Sequence, residues 1–303
     1  MTLFHLFHPL GHRTKEPLNQ PHYKYIYFSF SLNSKPKPEV LEYYGSNIKP
    51  GIASKFEFTY VSEYEIFHIL KNIKSKAFGS DNINLTMIIM CCPHLVAYIT
   101  HIINECIKNS YFPKTWKHAH VLPLPKINEP QEMKDLRSIS ILPILSKIME
   151  KSLDKQIRGH INAFQILPSK QSGFREGYSC ATALTSVTDD ILRSLDNNQI
   201  LALILLDFSK AFDLLNHEIL VAKLHHVGFK KSASDMILSF LSNRMQQVKL
   251  NNKVSSELMV SQGVPQGSIL GPLLYSIYTC SFDASLEYCD YHVYADDTQI
   301  YVF

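Results

Sequence analysis

The stretch Tyr294-Ala295-Asp296-Asp297 places two adjacent carboxylates between two short runs rich in aromatic and β-branched residues, 291–294 and 298–303. Runs of this kind, separated by about two polar residues, predict a β-hairpin with the acids at its tip. Two negative charges on one tight turn repel each other, and a bound Mg²⁺ would remove that cost because it takes carboxylate oxygens as ligands. An exposed acidic turn is the alternative, and so short a motif does not decide between them.

An unbroken apolar run, residues 200–206, lies upstream and ends in Asp207. Its lack of alternation predicts a strand buried on both faces, with a carboxylate at its end. Asp207 could then face the hairpin acids, and three carboxylates on neighbouring strands could hold two metal ions of the kind that assist phosphoryl transfer. Alone, Asp207 could equally be a helix cap or a solvent-exposed strand end.

Residues 261–272 (SQGVPQGSILGP) contain three glycines and two prolines. These residue types impose a rigid path with an accessible backbone. The apolar residues that follow predict a helix with Pro272 near its first turn. Amides at a helix N-terminus suit phosphate binding, although a lone Gly-rich stretch could be only a structural turn.

Together, in this order and spacing, the three stretches resemble the motifs of reverse transcriptases, most closely those of non-LTR (LINE-type), jockey-like retrotransposons. Asp207 with Phe212 is similar to the first palm motif, residues 262–268 to the second and residues 294–297 to the third. Upstream similarity is carried by residues 67–81, 116–117, 123–126, 136–142, 146–151 and 171–175, with Ser179 and Ala183-Leu184. The resemblance covers residues 58–303.

The resemblance implies an α+β fold of the right-hand polymerase type, with an antiparallel palm sheet and packed helices. Residues 1–55 would be a poorly ordered leader, residues 56–112 a helical extension and residues 113–303 the reverse transcriptase domain. Within that domain, the fingers would span residues 113–195 and the palm residues 196–303. The chain ends soon after the acidic hairpin, so we expect the thumb to be absent.

For catalysis, the resemblance implies metal ligation by Asp207, Asp296 and Asp297, with the Phe208 carbonyl as a further oxygen. Two Mg²⁺ ions, or Mn²⁺ in their place, would activate a primer 3′-hydroxyl against the α-phosphate of a deoxynucleoside triphosphate.

For nucleotide binding, it implies that Lys126 and Arg137 pair with the triphosphate, as a point charge and a bidentate donor. Phe212 would exclude a 2′-hydroxyl, and Gln266 and Gly267 would approach the nucleotide. Solvated surface charge and a core aromatic are the structural alternatives for Lys126, Arg137 and Phe212.

An RNA template and a DNA primer are the implied partners, contacted by Gly173, Arg175 and Tyr294. Residues 111–175 carry eleven Lys and Arg against five Asp and Glu. A basic region opposite acidic strand ends suits a nucleic-acid channel, although this excess could also be a solvated surface.

Composition is that of a globular chain: 303 residues, 46% hydrophobic, 19% charged and a net charge of +3. The six cysteines show no ligand spacing, which predicts a reducing, intracellular setting (nucleus or cytoplasm) rather than secretion. Residues 84–99 are apolar but interrupted by Pro93 and polar residues, which favours a buried helix pair over a membrane span. No membrane partner is expected, and the oligomeric state is not indicated.

Several local signals predict individual elements. Ser62 and Glu65 form a potential capping box for a helix up to Ile73, and Gly228 is placed to end a helix over 217–226. Residues 247–250 and 254–260 predict a hairpin around two asparagines.

The predicted function is RNA-directed DNA polymerase. An inactive retroelement remnant and a maturase-like RNA-binding protein stay open as alternatives. The intact acids favour catalytic ancestry. Ser138, where relatives usually carry proline, and Thr279-Cys280, where they commonly carry Asn-Asp, are departures that leave the placement of Arg137 and one structural contact less certain.

Overall fold

The computed structural model describes residues 35–53, 55–132, 135–208, 210–250, 253–282, 286 and 289–302. The helices in this part of the chain are α1 (Pro38–Ser46), α2 (Glu63–Asn72), α3 (Leu85–Met90), α4 (His94–Lys108), α5 (Ile144–Ala163), α6 (Cys180–Asp196), α7 (His217–His226), α8 (Lys231–Leu241) and α9 (Leu270–Thr279). The strands are β1 (His118–Pro125), β2 (Leu136–Ile141), β3 (Ala202–Asp207), β4 (Arg244–Leu250), β5 (Lys253–Val254), β6 (Leu258–Val260), β7 (Asp290–Tyr294) and β8 (Asp297–Val302). Helices and two separate sheets make the fold α+β.

Local signals place several helix ends correctly. The Ser62 hydroxyl accepts from the Glu65 amide while the Glu65 carboxylate accepts from the Ser62 amide, so the predicted capping box of α2 is confirmed. Gly228 follows α7 with φ of +88°, the left-handed conformation that terminates a helix at little cost for glycine. The apolar segment around Pro93 forms the predicted helix pair, α3 and α4. None of the described helices is both long and apolar enough to cross a membrane.

The leader contains a helix where little order was expected. Pro38 starts α1, which packs against α7. Tyr44 fixes it, because its hydroxyl hydrogen-bonds the Ser281 hydroxyl at 2.8 Å and its ring lies under the Lys223 ammonium at 4.9 Å. The expectation of a poorly ordered leader is therefore wrong for residues 38–46. Residues 1–34 lie outside the described part of the chain.

The larger sheet has the strand order β2-β1-β4-β5, with β6 also paired to β4. Strand β1 pairs antiparallel with β2 over residues 120–125 and parallel with β4 over residues 118–121. Pro123 and Pro125 lie beyond that point, where β1 needs no donor on the β4 side, so both prolines are tolerated. The predicted hairpin of β4 with β5 and β6 is confirmed, and its two asparagines lie outside the described residues.

The smaller sheet has the strand order β3-β8-β7 and is antiparallel throughout. Ile204 and Leu206 of β3 pack with Tyr291, Val293 and Ile300 on one face. The opposite face of β3 is open. Leu203 and Leu205 are 42% and 70% exposed, and Ile200 precedes the strand at 92%. The prediction of a strand buried on both faces is therefore wrong, because among the described residues β3 pairs only with β8 and only one of its faces is covered.

The main core forms where α5, α7, α8 and α9 meet. Leu153, Ile157, Leu220, Ile237 and Leu274 are fully buried there. Burying each such side chain stabilises the fold by about 1.5–3 kcal/mol before entropy is counted. The smaller sheet packs in a separate cluster around Tyr291, Val293 and Ile300.

Candidate active site

The acidic hairpin forms as predicted, with Ala295 and Asp296 as its two-residue turn between β7 and β8. Asp297 pairs with Tyr294 across the turn and with Asp207 across the β3–β8 ladder. Directly opposed residues of an antiparallel pair project to the same face, with Cβ atoms about 4.5–5.5 Å apart. Asp207 and Asp297 are therefore neighbours on one face of the sheet. Asp296 lies on the turn, directly before Asp297 in the chain.

The turn backbone is strained, and a neighbouring loop holds it in place. Ala295 has φ of +60°, a left-handed conformation that costs a non-glycine residue about 1–2 kcal/mol. Gly173 packs on it so closely that a Cβ there would lie 2.0 Å from the Ala295 nitrogen. The Ser172 amide donates to the Val293 carbonyl at 2.8 Å and the Val293 amide to the Lys170 carbonyl at 2.9 Å.

Electrostatic repulsion disfavours ionisation of all three aspartates at the hairpin at once. Partial burial, then the charges of Asp296 and Asp207, raise the pKa of Asp297 above its ordinary value. Carboxylate oxygens are the donor type that hard divalent cations take, so the residues fit such an ion chemically. As the side chains stand, no group of three His, Cys, Asp or Glu in the described residues could hold a metal ion.

The segment after Asp207 turns back beneath the hairpin. The Phe208 carbonyl accepts from the Ala211 amide at 3.2 Å. The half-buried Phe212 ring stacks on Tyr275 of α9, with centroids 5.0 Å apart and planes inclined by 21°. Phe174 meets Phe212 edge-on at 5.7 Å. Phe212 is thus part of an aromatic cluster, and the core interpretation of this ring is confirmed as one part of its role.

Backbone hydrogen bonds join the Gly-rich loop to this segment. The Val264 amide donates to the Phe212 carbonyl at 2.8 Å, and the Gly263 amide donates to the Leu215 carbonyl at 2.7 Å. Gly263 has φ of +79°, and a Cβ there would lie 2.5 Å from the Asp213 carbonyl oxygen.

The same loop also contacts the larger sheet. The Gln266 carbonyl accepts from the Ser140 amide of β2 at 2.6 Å. Gly267 has φ of +109°, and a Cβ there would lie 2.6 Å from the Ser140 carbonyl oxygen. Gln266 and Gly267 are therefore fixed between β2 and the start of α9.

The two basic residues predicted for nucleotide binding are exposed on the β1–β2 hairpin. Lys126 follows β1 and is close enough to Asp213 to interact with it electrostatically. Arg137 lies opposite Leu124 in the β1–β2 ladder. Ser138 continues that ladder, so the missing proline does not displace Arg137 from the strand. A cavity of about 270 Å³ lies beside the contact between β2 and the Gly-rich loop. Its lining includes Ser138, Ser140, Asp213, Arg244, Gln262 and Gln266.

The residues predicted to contact template and primer have structural contacts of their own. Arg175 donates to the carbonyls of Pro168 and Gln171, and its guanidinium lies over Tyr178 at 4.5 Å. Tyr294 is half-buried beside the hairpin acids. Gly173 is buried against the turn and meets its backbone directly.

Four polar residues at this site make hydrogen bonds that the sequence did not indicate: Glu150, Ser172 and His292 are buried, and His217 is half-buried. The Glu150 carboxylate accepts from two amides at the start of α9. His217 Nε2 donates to the Gly263 carbonyl at 2.7 Å. The Ser172 hydroxyl and His292 Nε2 are joined at 2.9 Å. Each partner is distant in sequence, and only the polar residue type at an apolar position could have indicated them.

Comparison with known proteins agrees with this geometry. Residues 124–302 match the family described as reverse transcriptase (RNA-dependent DNA polymerase). That range includes β2 to β8, the acidic hairpin, the Gly-rich loop and the helix that follows it, but only the last two residues of β1.

Similar proteins come from mobile elements of Drosophila melanogaster. The chain is 31% identical to the probable RNA-directed DNA polymerase from transposon BS, over 74% of this chain and 25% of that protein. It is 32% identical to the probable RNA-directed DNA polymerase from transposon X-element, over 70% of this chain and 23% of that protein. It is 29% identical to the RNA-directed DNA polymerase from mobile element jockey, over 74% of this chain and 25% of that protein. The chain thus spans about a quarter of the length of these relatives. It belongs to the reverse transcriptase family and carries a domain of the non-LTR (LINE-type) retrotransposon kind.

Proposed function

We propose that this chain forms the fingers and palm of an RNA-directed DNA polymerase that adds deoxynucleotides to a primer 3′-hydroxyl. The observation that carries the proposal is the pairing of Asp207 with Asp297 across the β3–β8 ladder, with Asp296 on the adjoining turn. Residues 113–195, with the exposed Lys126 and Arg137 on the β1–β2 hairpin, would form the fingers. Residues 196–303, with the smaller sheet and its acids, would form the palm.

The three aspartates would hold a divalent cation, Mg²⁺ or Mn²⁺, with the Phe208 carbonyl as a further oxygen. Partial burial, then the charges of Asp296 and Asp207, raise the pKa of Asp297, and a bound cation would offset the repulsion between these carboxylates. When bound, two such ions supply Lewis-acid stabilisation of both the attacking and the leaving oxygen in phosphoryl transfer. The protein's part is to place the carboxylates, which the loop around Gly173 does by fixing the turn.

Nucleotide binding would use the surface between the β1–β2 hairpin and the Gly-rich loop. Lys126 and Arg137 supply positive charge for the triphosphate, and Arg137 can bind it through two parallel hydrogen bonds. Gln266 and Gly267 present side-chain amide and open backbone to the base and sugar. Phe212 would lie under the sugar, where its stack on Tyr275 prevents it from moving away from a 2′-hydroxyl.

Template and primer would run past the hairpin along the basic surface. Tyr294 shares the face of Asp297 and can contact the primer end. Gly173 and Arg175 shape the loop beside it. Their contacts to the protein support an indirect role, in which the loop rather than either side chain meets the nucleic acid.

The experiment is single-nucleotide incorporation on an RNA template with a DNA primer, comparing the chain with Asp296→Ala. Asp235→Asn is the matched control, since Asp235 pairs with Lys231 on the exposed face of α8, outside the site. We expect Mg²⁺-dependent incorporation that Asp296→Ala reduces at least about a hundredfold and Asp235→Asn leaves unchanged. Nucleic-acid binding without incorporation by the wild type would instead favour the remnant or the RNA-binding protein.

A further inference from the structure

Glu150 of α5 is fully buried, yet its carboxylate makes several hydrogen bonds. Oε2 accepts from the Ile269 amide at 2.7 Å and the Leu270 amide at 3.3 Å. Oε1 accepts from the Ser146 hydroxyl at 2.8 Å. The side chain has 0% exposure. A buried carboxylate requires hydrogen-bond donors or a counter-charge, because removing an unpaired charge from water is costly.

The two amides that it binds stand at the start of α9, where the only local side-chain cap among the described residues is the Ser268 hydroxyl, which accepts from the Gly271 amide at 3.0 Å. Helix α9 begins at Leu270, and its N-cap residue is Ile269, which offers no side-chain acceptor. The first amides of a helix lack intrahelical partners, and the helix dipole makes this end attractive to a negative charge. Glu150 supplies that charge from a helix 119 residues away in the chain.

Charge balance comes from Arg244 at the start of β4. Burial raises the pKa of Glu150, and the Arg244 guanidinium opposes that rise. Arg244 Nη1 donates to the Phe240 carbonyl at 2.7 Å. Burial lowers the pKa of Arg244 to about 10, so that it stays protonated at neutral pH. Its Nη2 makes no hydrogen bond to the described residues. Arg244 thus offsets a negative charge on Glu150 without competing for the oxygen that binds the amides.

The amides held by Glu150 belong to Ile269 and Leu270, and one residue, Ser268, separates them from Gln266 and Gly267. On the other side, Gln266 is held by the Ser140 amide and Gly267 is packed on the Ser140 carbonyl. The Gly-rich loop is therefore fixed at two points, by β2 before the loop enters α9 and by Glu150 just after.

We infer that Glu150 is a positioning residue for nucleotide binding: it anchors the N-terminus of α9 and thereby sets Gln266 and Gly267 against the incoming nucleotide. The inference rests on the proposed polymerase function. Glu150 touches no reacting atom and acts only through the loop.

The test is steady-state incorporation by Glu150→Gln, with Ser146→Ala as the matched control. Glutamine keeps the volume but loses the charge, whereas Ser146→Ala leaves both Oε2 hydrogen bonds in place. We expect Glu150→Gln to raise the KM for the nucleotide about tenfold, the loss of a charged hydrogen bond. We expect kcat and the Kd for template–primer to stay within about twofold, and Ser146→Ala to match the wild type. An unchanged KM in Glu150→Gln would overturn the inference.

Amide hydrogen exchange gives a second readout, and its wild-type measurement does not depend on whether a variant folds. The wild-type amides of Ile269 and Leu270 must be protected, and in Glu150→Gln they must exchange faster than other α9 amides. Rapid exchange of both amides in the wild type would also overturn the inference. Asp296→Ala in the same incorporation assay separates the two proposals. Asp296-dependent incorporation with no Glu150 effect removes only this inference, whereas no incorporation by the wild type removes both.

Discussion

Asp207, the last residue of β3, lies directly opposite Asp297, the first residue of β8, across the antiparallel ladder. Ninety positions of chain fold back to create that contact, and the residues between them build the helices and the Gly-rich loop beneath it.

Gly173→Ala should misplace the catalytic turn. The added Cβ would lie 2.0 Å from the Ala295 nitrogen, so either the loop or the hairpin must shift. We expect incorporation to fall about a hundredfold, as a displacement of about 1 Å near reacting groups commonly does. Gly159→Ala is the control, because nothing lies within 4 Å of its Cβ position in α5. That variant should be more stable by about 0.5–1 kcal/mol and equally active. Equal activity of both variants would contradict the proposed role of the loop.

Substitutions of Ala295 should report the strain of the turn. Valine is β-branched and tolerates positive φ poorly, so Ala295→Val should lower the free energy of unfolding by about 1–2 kcal/mol. Glycine adopts this φ freely, so Ala295→Gly should be neutral or slightly stabilising. Urea denaturation of both variants measures the difference, and a stability order with valine above glycine would show that the turn is not strained.

Asp297→Asn should stabilise the metal-free protein at neutral pH. The pKa of Asp297 is raised in the folded state, so its ionisation costs stability as pH rises through that folded pKa, and no cost exists below the unfolded pKa. We expect a gain of about 0.5 kcal/mol at pH 7 in EDTA, small because the group is largely exposed. The gain should disappear at pH 3. A gain that persists at pH 3 would point to packing rather than charge.

Phe212→Ala should weaken the choice between sugars. Removal of the ring opens space where a 2′-hydroxyl would sit, so discrimination against ribonucleotides should fall at least about tenfold. Tyr275→Phe is the control, since it keeps the aromatic stack beneath Phe212 and removes only the hydroxyl. The ratio of kcat/KM for a deoxynucleotide and its ribonucleotide measures the effect. Equal ratios in wild type and Phe212→Ala would assign the ring to the core alone.

Several elements of the fold could be predicted from local sequence patterns. The capping box at Ser62 and the stop at Gly228 depend on residues within one or two turns of each other, and both were predictable. The hairpin with Asp296 and Asp297 at its tip was predictable for the same reason, since alternating runs and a short polar break define it.

Tertiary context decided the rest. The apolar run that ends at Asp207 could not reveal that β3 pairs on one side only, because periodicity does not report position in a sheet. Helix α1 depends on Lys223 and Ser281, both far along the chain. The Glu150 cap was unpredictable because α9 carries isoleucine where a local cap would stand.

The most direct test of the central proposal is Mn²⁺ binding, measured by electron paramagnetic resonance on the chain with template–primer. The proposed site requires Asp207 and Asp297 to act together, so wild type should bind Mn²⁺ and Asp207→Asn should lose most of that binding, while Asp235→Asn retains it. Binding that is equal in wild type and Asp207→Asn would contradict a shared metal site at the paired aspartates.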